Sequence, residues 1–376
     1  MVAGSVLALH RVYLAPDAVA AATRVLQSGQ LAAGPEVDAF EREFGAFIGN
    51  RRVASCGDIG TGMMIALGLA DVGPGDEVIT SPVSCLNTTI PIAARFAKVV
   101  WADVDPATAQ LDPDDVACRI TSRTKAILAF HWVGYPAPLA DLRRVAREHG
   151  LRLIEDAGEA LGATFEGAPI GTGSDLVVFS FAAIRHLTAS EGAAVAVATD
   201  ADLERARRLR RYGIHQPTFR DDRGELSPAS VIPEPGYGAS MSDIEAAIGR
   251  AQLPHVAGLI ARHRANARWY DEALAGIAGV TPLRPVPGAN PSYWVYTLRA
   301  ERRDALLAHL AAQGVRASQV HIRNDVYAVF GGMARRLPGV DDFSARSLSI
   351  PCGWWVTDED RDHVARAIRV GAPETA

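Results

Sequence analysis

Two groups of ionisable side chains follow neighbouring apolar segments in this sequence. Asp156 and Glu159 come after the apolar segment that begins at Leu153, and Arg185 with His186 come after the next one. Carboxyl and imidazole groups can exchange protons with a substrate, whereas a guanidinium stays charged and holds anions. This combination predicts acid–base chemistry on a small polar substrate, with Arg185 as an anion-holding or electrophilic residue.

A further acid–base candidate, Asp58, lies in a glycine-rich segment at residues 55–62, which we predict to be a turn before a helix at residues 63–70. Free backbone N–H groups at a helix start can bind a phosphate, here near Gly60 and Thr61. Glycines before a helix also serve tight packing, which is an equally good interpretation. A carboxylate at Asp58 would cap these N–H groups and repel a phosphate.

The elements that carry these residues alternate regularly from residue 75 onward. Uninterrupted apolar segments, typical of buried parallel strands, are separated by amphipathic helices of about ten residues. This pattern predicts an α/β fold in which a mostly parallel sheet lies between two layers of helices. Ligands of such sheets lie beyond the carboxyl ends of the strands. The predicted pocket walls are residues 82–87, 131–132, 156–159 and 180–186.

The pattern changes after a long helix predicted at residues 256–274. A turn-rich boundary at residues 282–291 is followed by helices and strands, one strand being predicted at residues 316–320. We therefore divide the chain into a large domain, residues 1–254, and a small C-terminal α+β domain, residues 255–376.

The composition argues against several classes of partner. The chain has 38 basic and 43 acidic residues, a net charge of -5, and the two signs are interspersed, which gives no reason to expect binding to nucleic acid or to a membrane surface. The four cysteines show neither zinc spacing nor a disulfide framework, and no segment reaches the ~18 apolar residues of a membrane-spanning helix. We expect a cytoplasmic protein without a metal site.

Lysine is nearly absent from the chain. The sequence contains only Lys98 and Lys125, both at the predicted starts of strands. A reaction that needs a lysine amine therefore has two candidates, and both are expected at the edge of the sheet opposite the pocket.

Short motifs occur in a fixed order along nearly the whole chain. They are Gly34-Pro35-Glu36-Val37, Gly73-Pro74-Gly75-Asp76-Glu77-Val78, Asp103-Val104-Asp105-Pro106, Thr124-Lys125-Ala126-Ile127, Glu155-Asp156-Ala157, Phe179-Ser180-Phe181 and Glu191-Gly192. Together they resemble the DegT-like sugar aminotransferases, fold-type I enzymes that use pyridoxal phosphate (PLP). The resemblance implies a homodimer, a bacterial natural-product or deoxysugar pathway, and a small substrate such as a sugar nucleotide or an amino-sugar-like compound.

The resemblance implies roles for single residues. Asp156 matches the carboxylate that pairs with the pyridine nitrogen of the cofactor, and Ser180 matches a hydroxyl that binds its phosphate. Glu159 falls where the family has a glutamine or histidine near the ring, and Arg185 falls on the lysine that forms the Schiff base. The other candidate contacts are Gly60, Thr61 and Cys85 for the cofactor, and His131, His321, Arg323 and Asn324 for the substrate, although packing is the favoured interpretation for His131.

The chain departs from the family pattern at the centre of this pocket. A guanidinium is a poor nucleophile and cannot form the internal Schiff base, so Arg185 speaks against covalent PLP. Neither Lys98 nor Lys125 is expected to replace it. Gly238 stands where the family has an asparagine that reaches the phosphate of the neighbouring subunit, and Cys85 stands where an aromatic side chain often stacks on the ring.

We therefore expect an enzyme that keeps the aminotransferase fold but does not transaminate, and that carries out an elimination, isomerisation, cyclisation or condensation, with cofactor-free use left open. Three alternatives remain. The chain is a dehydratase that holds PLP or pyridoxamine phosphate (PMP) non-covalently with His186 as its base, a non-catalytic partner subunit, or a sugar aminotransferase inactivated by the exchange of lysine for arginine.

Overall fold

The computed structural model describes residues 6–333 and 335–372. Its strands are β1 (Val53–Cys56), β2 (Glu77–Thr80), β3 (Lys98–Trp101), β4 (Val104–Asp105), β5 (Gln110–Leu111), β6 (Thr124–Phe130), β7 (Arg152–Asp156), β8 (Thr164–Phe165), β9 (Ala168–Pro169), β10 (Leu176–Ser180), β11 (Ala193–Val197), β12 (Val280–Pro282), β13 (Ala289–Asn290), β14 (Tyr296–Ala300) and β15 (Ser347–Ile350).

Helices connect most of these strands. They are α1 (Ala18–Ser28), α2 (Pro35–Ile48), α3 (Ile59–Leu69), α4 (Leu86–Ala94), α5 (Pro113–Cys118), α6 (Leu139–Glu148), α7 (Asp200–Leu209), α8 (Gln216–Phe219), α9 (Asp243–Gln252), α10 (Val256–Ala273), α11 (Arg303–Ala312), α12 (Pro338–Arg346) and α13 (Asp358–Gly371). Among the described residues, no helix is both long and apolar enough to cross a membrane.

The main sheet has seven strands in the order β1-β11-β10-β7-β6-β2-β3. Only β11 runs antiparallel to its neighbours, so the prediction of a mostly parallel sheet is confirmed. The six parallel strands end at one edge of the sheet, the carboxyl edge, where Phe130, Asp156 and Ser180 are the last residues of β6, β7 and β10. This edge presents the predicted pocket walls together.

Helices cover both faces of this sheet because its strands are apolar on both faces. Successive residues of β10 alternate between the two cores: Val177 and Phe179 pack with α2 and α6, whereas Leu176 and Val178 pack with α3 and α7. The α/β prediction, with helices on both sides of the sheet, is therefore confirmed.

A second core lies behind the sheet β12-β14-β15. Leu7 and Leu9 from the N-terminal segment pack against this core, and α10 contributes to both cores, with Ile260 in the large one and Tyr270 in the small one. The domain boundary after residue 254 stays a prediction, and the N-terminal segment packs with the small domain in space.

Two element predictions are wrong. The helix expected at residue 63 begins at Ile59, so Gly62 lies inside it. A Cβ at Gly62 would come within 3.0 Å of Val178, so the absence of a side chain there lets the helix pack closely on the sheet. The glycines thus serve tight helix–sheet packing. The expected strand at residues 316–320 is reduced to a single bridge between Ser318 and Ser349, because Val320 takes a left-handed φ of 69°.

Candidate active site

A buried carboxylate, Glu159, is the centre of the site. Its Oε1 accepts hydrogen bonds from Arg185 Nη1 and from His321 Nε2, both at 3.0 Å, and its Oε2 accepts the backbone N–H of Val133 at 3.1 Å. Glu159 is only 1% exposed. These contacts join the ends of β7 and β10 to a segment of the small domain, so the structure brings together three residues that the sequence proposed separately.

Arg185 is held on two sides. Its guanidinium carbon lies 4.3 Å from the ring centre of Trp294, and its side chain is 10% exposed. The indole N–H of Trp294 donates to the carbonyl of Ile184 at 2.7 Å, which fixes the ring beside the arginine. A guanidinium stacked on an aromatic ring and paired with a carboxylate has a fixed plane and orientation.

Sequence reasoning missed His10 and Trp294. The imidazole of His10 stacks on Trp294 with ring centres 4.3 Å apart and an angle of 16°. Burial lowers the pKa of His10 to about 4, opposed by Glu159 and helped by Arg185 and His321, so the ring is neutral at pH 7. No local pattern marks His10, because it is brought here by the pairing of Leu7 with Val315.

Asp156 lies at the end of β7 in a different environment from Glu159. It accepts hydrogen bonds from Thr88 Oγ1 at 2.6 Å and from the backbone N–H of Gly158 at 2.9 Å. Burial raises the pKa of Asp156, because the two hydrogen bonds do not offset the loss of water. The carboxyl is therefore suited to hold a proton.

The pKa of Glu159 is shifted in the opposite direction from that of Asp156. Burial alone would raise its pKa, but the nearby His321 and Arg185 outweigh burial, and the pKa is lowered. The pKa values of two carboxyl groups three residues apart are thus shifted in opposite directions, which is the arrangement used when one fold needs an acid and an anion in one pocket. The acid–base roles of these two residues stay predictions.

His186 packs against His263. Its ring packs edge-on against His263 with centres 4.6 Å apart, and its Nε2 has no hydrogen-bond partner among the described residues. Burial, together with the charges of His263 and Arg185, holds the pKa of His186 well below its usual range. His186 is therefore a neutral imidazole, and its role as a base stays a prediction.

Asp58 is the N-cap of α3, as the sequence indicated. Its carboxylate accepts the backbone N–H of Thr61 at 2.9 Å and also accepts the Thr61 hydroxyl. A Cβ at Gly60 would lie 3.0 Å from Asp58 Oδ1, so the carboxylate fills the space beside this turn. The structure gives Asp58 a capping role, and its acid–base role stays a prediction.

Ser180 and Cys85 are placed near the carboxyl edge. Ser180 is buried at the end of β10 and accepts the backbone N–H of Ala182 at 3.3 Å. Cys85 precedes α4, and burial raises the pKa of its thiol to about 11, so it is not a thiolate at neutral pH. Their cofactor contacts stay predictions.

The side chains of His131 and Arg323 are engaged by contacts within the fold, and their substrate roles stay predictions. His131 is fully buried; its Nε2 bonds to Glu155 at 3.0 Å and its Nδ1 accepts the N–H of Ala137 at 3.0 Å, so no ring nitrogen is left for a substrate. The guanidinium of Arg323 is held by Asp325 and Asp341.

Asn324 has a structural role that explains its position. Its Nδ2 donates to the Ser84 hydroxyl at 3.1 Å and to the Thr89 hydroxyl at 2.9 Å. It thus fastens the small domain to the pocket wall before α4. Of the four substrate candidates, only His321 contacts Glu159. The rings of Phe130 and Trp132 pack edge-on against the His321 imidazole.

The residues present do not fit a lysine-linked PLP. Lys98 is exposed at the first position of β3 and Lys125 at the second position of β6, at the opposite edge of the sheet from Arg185. A Cβ at Gly238 would lie 2.5 Å from the phenol oxygen of Tyr212, so a side chain there would require this exposed tyrosine to move. No group of potential metal ligands occurs in the described part of the chain.

Comparisons with known proteins agree with the fold. The family described as the DegT/DnrJ/EryC1/StrS aminotransferase family matches residues 13–369. The erythromycin biosynthesis sensory transduction protein EryC1 of Saccharopolyspora erythraea is 34% identical over 371 residues, with 96% of each chain covered. The dTDP-3-amino-3,4,6-trideoxy-alpha-D-glucose transaminase of Streptomyces venezuelae is 33% identical over 340 residues, 89% of this chain and 86% of that one.

Solved structures show the same architecture. The sugar aminotransferase CalS13 from Micromonospora echinospora is 38% identical with a TM-score of 0.92, covering 97% of this chain and 100% of that chain. The crystal structure of S. venezuelae DesV in complex with a ketimine intermediate is 31% identical with a TM-score of 0.88, covering 96% of this chain and 95% of that chain. The fold is therefore that of the fold-type I aminotransferases.

Proposed function

Because this chain belongs to the DegT/DnrJ/EryC1/StrS aminotransferase family over nearly its whole length, we propose that it is an enzyme of bacterial natural-product or deoxysugar biosynthesis that acts on a small sugar-type substrate without transaminating it. The reaction would be an elimination, isomerisation, cyclisation or condensation. The family membership supports the pathway, and the site residues support the change of chemistry.

The observation that carries the proposal is the pairing of Arg185 with Glu159 and Trp294. A lysine amine must be free to attack a carbonyl, whereas this guanidinium is charged, paired at 3.0 Å and stacked at 4.3 Å. The two lysines of the chain lie at the far edge of the sheet. We therefore derive the chemistry from the chain's own acid–base groups.

Asp156 is the proposed acid. Its raised pKa lets it hold a proton and deliver it to a departing oxygen of the substrate. One of the neutral imidazoles, His10 or His186, would accept the proton that the substrate loses, so that protons balance over the reaction. Glu159 would remain ionised and keep Arg185 in place.

The same proposal includes a homodimer in a reducing cytoplasm. The segment between α7 and α9 exposes Leu226, Val231 and Ile232, apolar side chains that a second copy of the chain would cover. Free thiols at Cys56, Cys85, Cys118 and Cys352 support the reducing compartment.

The test uses the purified protein and an Arg185→Lys variant, each mixed with PLP, reduced with borohydride and weighed as intact chains. We expect no stable absorption near ~410 nm and no adduct mapped inside the pocket of the native protein, because the pocket has no amine and any adduct would lie on the exposed Lys98 or Lys125 or on the chain terminus. A PLP adduct mapped inside the pocket of the native protein would refute the proposal. Adding PMP to the native protein separates the non-covalent alternative: that alternative requires a saturable rise in melting temperature.

A further inference from the structure

One edge of the Arg185 guanidinium has no partner in the described parts of the chain. Nη1 donates to Glu159, Nε is buried without a hydrogen bond, and Nη2, which lies on the same side as Nε, makes no hydrogen bond within the described residues. These two N–H groups form the side of a guanidinium that binds two oxygens at once. A buried donor without an acceptor costs free energy, so this edge is suited to an acceptor from outside the chain.

The surroundings of this edge offer few competing acceptors. Both oxygens of Glu159 are already engaged, by Arg185, His321 and the N–H of Val133. His186 Nε2 and His10 Nδ1 are two further buried polar atoms without partners. Three hydrogen bonds already occupy Glu159, which leaves little acceptor capacity for a ligand ammonium group, whereas a ligand oxygen would find the open side of Arg185.

The shape of the space restricts the group that can enter. Arg185, His186 and Trp294 line a narrow crevice with Trp354 and Trp355, in which about 10 Å³ is open to a water-sized group. This is about the space that one water molecule needs, so one carboxylate oxygen can enter beside the buried Nε while the second oxygen and the rest of the ligand lie outside the crevice. The flat wall of Trp294 beside the guanidinium favours a planar group over a tetrahedral one.

We propose that the open edge of Arg185 binds a carboxylate of the substrate, so that the enzyme acts on a small carboxylic acid, such as a sugar acid, rather than on an amine. This inference rests on the proposed function, and it names the substrate class of the same site. Trp294 fixes the plane of the guanidinium, and Glu159 fixes its orientation, which leaves only the Nε and Nη2 side for the ligand.

The test compares two acid–amide pairs of nearly equal shape, acetate with acetamide and D-glucuronate with D-glucuronamide. Binding is followed by tryptophan fluorescence and by the shift in melting temperature, with inorganic phosphate as a tetrahedral anion. We expect at least one acid to bind about tenfold or more tightly than its amide, because a charge-assisted bidentate contact is lost in the amide. Equal binding within both pairs, absent binding of both acids, or tighter binding of phosphate would overturn the proposal.

A double variant, Arg185→Gln with Glu159→Gln, removes the guanidinium without leaving a buried charge unpaired. It should lose the preference for the acid, whereas Arg299→Gln, which changes an arginine paired with Asp342 in the small domain, should keep it. Preference retained in the double variant would place the binding elsewhere and refute the inference. The PLP adduct experiment is independent of this one, so either proposal can fail alone.

Discussion

Two buried carboxylates at opposite edges of the same sheet illustrate what is special about the active site. Glu77 begins β2 at the amino edge and Glu159 follows β7 at the carboxyl edge, and each is 1% exposed. In both, burial alone would raise the pKa, and bonded or charged partners lower it instead. The two carboxylates therefore share a protonation state.

The cations that pair with these two carboxylates differ in their exposure to solvent. Arg123 and Lys98, which pair with Glu77, are 62% and 68% exposed, whereas Arg185 beside Glu159 is 10% exposed. An exposed cation completes its hydration with water, but a buried one must find all its acceptors within the fold or in a ligand. Glu77 at the amino edge thus forms ordinary structural ion pairs with exposed cations. The Glu159–Arg185 pair at the carboxyl edge leaves N–H donors of the arginine without an acceptor.

The largest expected difference concerns stability. We expect Glu159→Gln to lower the free energy of unfolding by about 3 kcal/mol, because it leaves the Arg185 charge buried without its partner. The matched control, Glu77→Gln, should cost about 1 kcal/mol or less, because its cations return to water. Urea unfolding at pH 7 measures both values. Equal losses would show that the two pairs are energetically alike.

A smaller effect is expected from pH. The pKa of Asp156 is raised in the folded protein, so the stability it contributes is present at low pH and is lost as the pH rises through that pKa. Asp156→Asn should therefore become steadily more favourable relative to the native protein as the pH rises above about 4, the unfolded pKa of an aspartate. Urea unfolding at several pH values would reveal this trend.

Glu77→Gln is the control, because its effect on stability should change with pH in the opposite direction from that of Asp156→Asn. The pKa of Glu77 is lowered, so its contribution is present above the unfolded value of about 4.3 and is lost as the pH falls through the folded pKa. Its cost should therefore shrink in acid. A trend of the same sign for Asp156→Asn and Glu77→Gln would contradict the assignment of opposite shifts.

The smallest expected effect is that of salt. Raising NaCl to about 1 M shortens the screening length to about 3 Å, which should reduce the cost of Glu77→Gln by a few tenths of a kcal/mol. The cost of Glu159→Gln should not change, because solvent ions do not reach its partner. Salt dependence of similar size at both positions would show that the carboxyl-edge pair is open to water.

Local signals in the sequence predicted part of this site well. The capping of α3 by Asp58 and the placing of Asp156 at a strand end follow from short-range rules on helix starts and apolar segments. The same rules placed the start of α3 at residue 63 instead of Ile59, and they left open whether its glycines serve packing or phosphate binding, because the contact between Gly62 and Val178 depends on the tertiary fold.

The sequence by itself determined the α/β pattern, the shortage of lysine and the types of residue at the strand ends, because these depend on neighbours a few positions apart. Only the tertiary structure decided which of them meet. His321 reaches Glu159 across 162 positions, and Trp294 reaches Ile184 across 110. Arg185 could be read as a lost lysine from its place in the chain, but its pairing, its stacking on Trp294 and its open edge arise because the small domain and the N-terminal segment pack over it.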